Sequence, residues 1–365
     1  TKVFDRIAYC SLFRLLIDKS ICPLVIRFLY QLYMNQRAVV RWGNETSICF
    51  PVNNGVKQGG VLSPVLFTLY FDQLLSRLAE SERGCHVGSC FAGAFAYADD
   101  IILLSPSLTG LEEMLCICQS YAREYKLTFN ASKSKLVVLN GAAVPRTISI
   151  MDGAIEQVEV DQHLGFKFGN VPQREVVESM CREMTQKTNM LKTHFPRVPH
   201  DTAYVLFKTY CMPLYGCVLL DLNDRSMERL FVTWRKCIRS LLALPLSTHS
   251  HLLHLICSDI PINVQICCRF IKFLRSLTSC NNHLVSLCLK LALRGSRSKV
   301  ANSISLMSQK FNVRRDDVPS VSLCGLHDSD DNDDDLRKSG MICELLDERW
   351  CLSMPFEQSF LNAYE

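Results

Sequence analysis

The chain has 365 residues, 48% of them apolar, so it can bury a large core and is expected to divide into two or more units. Forty basic residues against 36 acidic ones leave a formal charge of +4, too mild to indicate a nucleic-acid partner unless the basic residues cluster. Nineteen cysteines in a chain of this length, with no signal peptide and no CxxC spacing, do not describe a secreted disulfide scaffold and read as reduced core thiols.

Residues 11–40 carry Leu12, Leu15, Leu16, Ile17, Leu24, Ile26, Leu29 and Leu32 at near-helical spacing, and Pro23 divides them into two helices. Residues 38–51 alternate as a hairpin turning at Gly43-Asn44. They lead into Asn54-Gly55-Val56-Lys57-Gln58-Gly59-Gly60, where a double glycine lets backbone approach a ligand. Ser63 and Pro64 read as cap and first residue of the apolar helix that follows. Residues 95–104 set Asp99 and Asp100 between two β-prone runs, which predicts a hairpin with both acids at its tip. Residues 111–125 form an amphipathic helix with Glu112 and Glu113 in its first turn.

Strands are expected over 135–140, 147–151 and 164–168, and helices over 174–194, 202–222 and 227–244, with shorter pieces to about 293. Residues 209–220 are the longest apolar candidate for insertion and are too short to cross a bilayer, so no membrane association is expected. From 294 the chain is richer in Ser and Asp; the acidic run 328–335 reads as a solvated linker and 341–360 as one terminal helix. The expected organisation is a first unit over 1–171, a helical unit over 172–293 and an acidic linker with a short helix over 294–365.

A pair of aspartates at a turn is often only turn chemistry, but it is also a place to hold a divalent metal. The glycine loop upstream decides between them. GVKQGGVLSP resembles the second motif of reverse transcriptases and FAYADDIILL the third, in the family's order and separation. Asn130 to Lys133 resembles their Asn-x-x-Lys motif, and His163-Leu164-Gly165 their Tyr-Leu-Gly primer-grip strand, with His in place of Tyr. AYVLFKTYCMPLYG over 203–216, followed by the basic helix 230–244, is similar to the thumb of non-LTR retrotransposon enzymes. The resemblance covers residues 1 to about 280.

That resemblance implies an α+β fold, a partial right-hand polymerase palm with an antiparallel sheet followed by a helical thumb. It implies RNA-directed DNA synthesis with an RNA template, a DNA primer, deoxynucleoside triphosphates and two Mg2+ ions. Asp99 would be the main metal ligand and Asp100, pointing the other way on a strand, the looser one. The family's third carboxylate sits in Asp-x-x-Lys-Ala-Phe-Asp; Thr1-Lys2-Val3-Phe4-Asp5 matches the end of that motif, so the acid would lie two residues before Thr1 and the chain reads as a fragment inactive as it stands. Asp5 reads as a cap for the next helix.

Phe4 matches the aromatic sugar gate that packs where a 2′-hydroxyl would sit, with an ordinary core Phe as the alternative. Gln58, Gly59 and Gly60 would line template and incoming nucleotide. Lys133 would approach the leaving pyrophosphate, with Lys135 as the alternative. In the thumb, Leu230, Trp234, Ile238, Leu241 and Leu242 form an apolar stripe, while Arg225, Arg229, Arg235, Lys236 and Arg239 supply a phosphate-facing surface unbalanced by acids until Asp259. The loose groupings Cys85, His86, Cys90 and His249, His251, His254 are not expected to hold structural zinc. The expected location is intracellular, nucleus or cytoplasm, and not secreted. Two rivals remain: a group II intron type reverse transcriptase, and a non-catalytic nucleic-acid-binding remnant.

Overall fold

A computed structural model describes residues 3–320 apart from 58, 140, 142–143, 145 and 295–297, so Gln58, the acidic run 328–335 and the helix expected over 341–360 lie outside the described residues. The chain divides into two compact units, Thr1–Asp161 and Gln162–Glu365, each considered by itself.

The first unit opens on a 3-10 turn, Val3–Arg6, followed by α1 (Tyr9–Asp18) and α2 (Pro23–Met34). Asp5 lies inside the turn and the N-cap of α1 is Ala8, so Asp5 does not cap that helix. Ser20, in the left-handed region at φ 55°, and Pro23 at the start of α2 make the break between the helices. The expected hairpin forms in two short rungs: β1 (Arg37–Ala38) pairs with β4 (Phe50–Pro51), and β2 (Arg41–Trp42) with β3 (Glu45–Thr46) around Gly43-Asn44.

The long helix α3 (Ser63–Glu80) buries Leu66, Phe67, Tyr70, Phe71, Leu74 and Leu78, a stripe at three- and four-residue spacing. After it come β5 (His86–Val87) with β6 (Cys90–Phe91), and β7 (Ala94–Tyr97) with β8 (Asp100–Leu103). Helix α4 (Leu108–Glu124) starts at Ser107, whose hydroxyl accepts from the Gly110 amide at 3.1 Å. The last sheet has the order β10 (Ile148–Ile150), β11 (Gly153–Val158), β9 (Lys135–Val137). Its β9 and β11 run parallel, which departs from the expected all-antiparallel pairing; β10 turns back onto β11 and leaves β11's other edge to β9.

Helices α3 and α4 are joined through tyrosines. The Tyr70 hydroxyl donates to the Tyr125 carbonyl at 3.0 Å, the Tyr121 hydroxyl donates to the Tyr70 carbonyl, and the Tyr125 hydroxyl donates to Gln73. The Tyr121 and Tyr125 rings stack at 4.2 Å, with the Arg77 guanidinium over both faces. Burial pushes the Cys118 thiol beside them up to about 12, so it packs as a neutral group.

The boundary between the units falls within β12 (Val160–His163), which pairs with β13 (Phe166–Gly169). Leu164 and Gly165, at φ 48° and 82°, are the turn of this hairpin and not the start of the strand read over 164–168. Helices α5 (Gln173–His194), α6 (His200–Tyr210), α7 (Met227–Leu241), α8 (Leu252–Ile256), α9 (Ile262–Thr278), α10 (His283–Arg294) and α11 (Lys299–Phe311) follow. The helix expected over 202–222 stops at Tyr210 because Pro213 offers no amide and Gly216 takes φ 75°, after which Cys217–Leu219 makes a 3-10 turn. The core joins Val177, Met184 and Leu191 of α5 to Leu230, Trp234 and Ile238 of α7 and to Phe270, Ile271 and Leu274 of α9.

Residues 299–320 are not linker. Ser298 caps α11, Ile304 and Met307 are buried, Asn302 donates to the Asp221 carboxylate at 2.6 Å, and the Ser303 hydroxyl accepts from the Leu222 amide at 3.0 Å.

Replacing Tyr70 by Phe removes one inter-helix bond and strands a buried carbonyl, so it should lower the unfolding free energy by ~1–3 kcal/mol. Urea denaturation measures this, and an unchanged midpoint would show that the tyrosines do not tie α3 to α4.

Candidate functional site

The glycine loop is docked before it reaches any ligand. The Gly55 amide donates to the Ile7 carbonyl at 2.9 Å and the Val56 amide to the Phe4 carbonyl at 2.8 Å. Gly55 is buried at φ +88°, and a Cβ there would stand 2.7 Å from the Asp5 Cα, so only glycine fits. Downstream, the Lys57 carbonyl accepts from the Gly60 amide at 2.9 Å and from the buried Ser63 hydroxyl at 2.6 Å. Ser63 is therefore a latch that closes the loop, not the helix cap expected from sequence; Leu62 holds the cap position and Pro64 the first turn. Gly59, at φ +78° with open space around it, and Gly60 sit between the two anchors.

Helix α3 carries this loop and faces two other candidates. Its Phe67 ring stacks on Phe4 with centroids 4.5 Å apart and planes at 20°, and β7 packs along the same helix. The hairpin pairs Ala94 with Leu103, Phe95 with Ile102, Ala96 with Ile101 and Tyr97 with Asp100. Only Asp99 occupies the tip; Asp100 begins the returning strand opposite Tyr97. Ala98, at φ 52°, gives the turn the positive φ that suits the twist of a tight hairpin. Both carboxylates are exposed, and as hard oxygen donors they suit a divalent cation such as Mg2+. Among the described residues no group of three or more His, Cys, Asp or Glu side chains converges into a metal site.

Lys133 ends the 3-10 turn Ala131–Lys133, where the Asn130 side chain accepts its amide, and its side chain is exposed. Lys135 is engaged by Glu156 across the β9–β11 pair, which leaves Lys133 as the freer cation of the two.

The thumb-like helix α7 differs from expectation in its charges. Its apolar stripe is buried at Leu230, Trp234, Ile238 and Leu242, while Leu241 is half-buried. Arg239, however, spends its guanidinium on the Thr248 carbonyl at 2.8 and 3.0 Å and on the Ser250 hydroxyl at 3.0 Å. Arg235 pairs with Glu228 at 2.6 Å and Arg229 with Glu178 at 2.5 Å. Lys236 is exposed. Glu178 also accepts a hydrogen bond from Arg174 at 3.0 Å, and that bond first, then the charges of Arg229, Arg174 and Arg182, holds its carboxyl below the usual range. Three arginines around one glutamate leave a positive patch on α5 and α7 that sequence reasoning missed, since α5 alone reads as balanced. A cleft of about 250 Å³, also missed, lies where the β12–β13 turn, Lys187 of α5 and the Pro213–Tyr215 stretch meet.

The docked glycine loop, the Phe4 ring and the hairpin that carries Asp99 are thus all set against α3. Residues 1–195 match the family described as reverse transcriptase (RNA-dependent DNA polymerase), and the chain belongs to that family. Within it the chain is of the non-LTR retrotransposon type. It is similar to a retrovirus-related Pol polyprotein from a type-1 retrotransposable element R2 of Popillia japonica, 26% identical over 302 residues, which are 77% of this chain and 48% of the relative. It is also similar to the Pol polyprotein of the type-2 element R2DM of Drosophila melanogaster, 30% identical over 141 residues, or 39% of this chain and 13% of that protein. A third, from an R2 element of Nasonia vitripennis, is 28% identical over 170 residues, covering 46% of this chain and 15% of the relative. The chain thus matches about half the length of the first relative and far less of the other two. The family works with divalent metal ions. Among the described residues no helix is long and apolar enough to cross a membrane.

The Ser63 latch is testable by itself. Ser63→Ala deletes a buried hydrogen bond and should lower the unfolding free energy by ~1 kcal/mol, while raising protease sensitivity at Lys57. A variant as stable and as resistant as the parent would leave the latch without a role.

Proposed function

We propose that this chain supplies the palm and thumb of an RNA-directed DNA polymerase that copies an RNA template from a DNA primer with deoxynucleoside triphosphates. The palm would span 1–171, the helical thumb 172–293, and 294–365 would follow it. The observation that carries the reading is the gathering of the docked glycine loop, Phe4 and the Asp99 hairpin on α3. Two bound Mg2+ ions would stabilise the attacking and leaving oxygens of nucleotidyl transfer.

In this reading Asp99 holds metal from the tip of the hairpin, and Asp100 supports the turn or touches a second ion. Gln58, Gly59 and Gly60 line template and incoming nucleotide, where backbone without a Cβ allows close approach. Lys133 offers a cation to the departing pyrophosphate. Phe4 packs where a ribose 2′-hydroxyl would stand.

Primer extension by the natural full-length protein, with Mg2+ and an annealed RNA template, tests the metal assignment. Asp99→Asn should lower kcat/KM at least ~100-fold, equivalent to ~2.7 kcal/mol of transition-state stabilisation, and Asp100→Asn should cost less. Equal losses, or a larger one at Asp100, would move the primary ligand to Asp100.

For the thumb, the phosphate-facing charges are Lys236 and the Arg174, Arg182, Arg229 patch. The ion pairs of Arg229 and Arg235 are exposed, so they exchange readily for phosphate, whereas the part-buried bonds of Arg239 hold the 248–250 segment. Affinity for an RNA–DNA duplex should fall steeply with salt. Arg182→Ala with Lys236→Ala should reduce the slope of log affinity against log salt by roughly 2, while Arg239→Ala should leave it within experimental error. A slope unmoved by the double change would remove this surface from the nucleic-acid path.

A further inference from the structure

We propose that Phe67, which reaches no substrate, is a positioning residue for sugar selection, because it is the wall against which the Phe4 ring is set. The proposal rests on the reading of Phe4 as the ring that faces the nucleotide sugar.

Phe4 belongs to a four-residue 3-10 turn, an element too short to fix a side chain by its own hydrogen bonds. Its position is borrowed. On the backbone side, the Phe4 carbonyl is held by the Val56 amide at 2.8 Å and the Ile7 carbonyl by the Gly55 amide at 2.9 Å. On the side-chain side, Phe67 covers one face of the ring at 4.5 Å, nearly parallel at 20°. Phe67 is 2% exposed and is backed in turn by Phe71, one helical turn on, at 4.9 Å and 28°. Phe4, Phe67 and Phe71 make a column of three rings whose inner two are fixed on α3, while Phe4 is only half-buried and keeps surface for a ligand.

Steric selection against one added oxygen depends on the excluding group being unable to retreat, since repulsion and contact both change over fractions of an ångström. Two aspects of this arrangement deny Phe4 a retreat. The Phe67 ring occupies the space behind it, and the Gly55 contact fixes the backbone from which it projects. Shortening Phe67 opens that space, so the ring can yield to a 2′-hydroxyl. Shortening Phe71 loosens the same core without touching Phe4.

The experiment compares ribo- and deoxynucleotide kcat/KM on an RNA template with a DNA primer in the natural full-length protein, alongside the unfolding midpoint. Competition of each nucleotide against a bound fluorescent deoxynucleotide reads the discrimination in ground-state binding without turnover. Phe4→Val first calibrates the gate and should raise relative ribonucleotide use at least ~10-fold. Phe67→Leu should raise it by a similar factor, and Phe71→Leu, with a comparable loss of stability, should leave it within twofold. Phe67→Met loses the flat face but has a flexible side chain that adapts to irregular space; it guards against misfolding of the leucine variant and should shift the ratio in the same direction. If Phe4→Val relaxes selection and neither change at Phe67 does, or if Phe71→Leu relaxes it equally, Phe67 is core packing and the proposal falls while the gate stands. If Phe4→Val leaves the ratio unchanged, the gate reading itself fails and the proposal with it.

Discussion

Everything the first unit does depends on one helix being buried along most of its length. Helix α3 presents Leu66, Phe67, Tyr70, Phe71, Leu74 and Leu78 inward, and this buried face anchors its neighbours. Phe67 takes Phe4, Tyr70 takes the end of α4, and the helix as a whole takes β7. A buried aromatic or aliphatic side chain is worth about 1.5–3 kcal/mol, so this stripe outweighs the cost of holding an exposed loop and a strained turn in place nearby. The chemistry is assigned to loops and a hairpin tip, but their precision comes from the helix beneath them.

The order of the motifs along the chain follows from this geometry. The loop 55–60 must precede α3 directly because the Ser63 hydroxyl, in the helix's first turn, closes on the Lys57 carbonyl. It must follow the Phe4 segment because its other anchor is that segment's backbone. A Cβ at Gly60 would stand 2.8 Å from the Ser63 hydroxyl and one at Gly55 2.7 Å from the Asp5 Cα, so a side chain at Gly60 crowds the first link and one at Gly55 the second.

Much of the first unit was legible because its signals are local. The acid-bearing hairpin between two apolar runs, the Gly43-Asn44 turn and Pro23 between two helical stripes each act within a few residues, and each element formed where it was read, although Asp100 lies one position past the tip. What sequence could not supply were partners from far along the chain. Nothing near Arg239 announces that the Thr248 carbonyl will take its guanidinium, and nothing in α5 shows that Arg229 will join Arg174 and Arg182 around Glu178. The overlong reading of 202–222 had a different cause. Apolar periodicity continued through Pro213, and the proline's missing amide outweighed it. Helix α11 was hidden by its serines, which look like linker composition until Ser298 caps it and Ser303 bonds the backbone beside Leu222.

The acid-bearing hairpin adds a final step. Its turn places Ala98 at φ 52°, a region where an alanine is uncommon and costs free energy that a glycine would not. Glycine there would relax the strain but enlarge the set of conformations open to the tip, because it populates both signs of φ about equally. Alanine, held by the Tyr97–Asp100 pairing on either side, leaves the turn fewer alternatives. The cost falls on a two-stranded ribbon in which two further rungs, Phe95 with Ile102 and Ala96 with Ile101, pair β-branched side chains against an aromatic and a small one. The position of the Asp99 backbone at the tip is therefore set by the Ala98 turn and the rungs on either side of it.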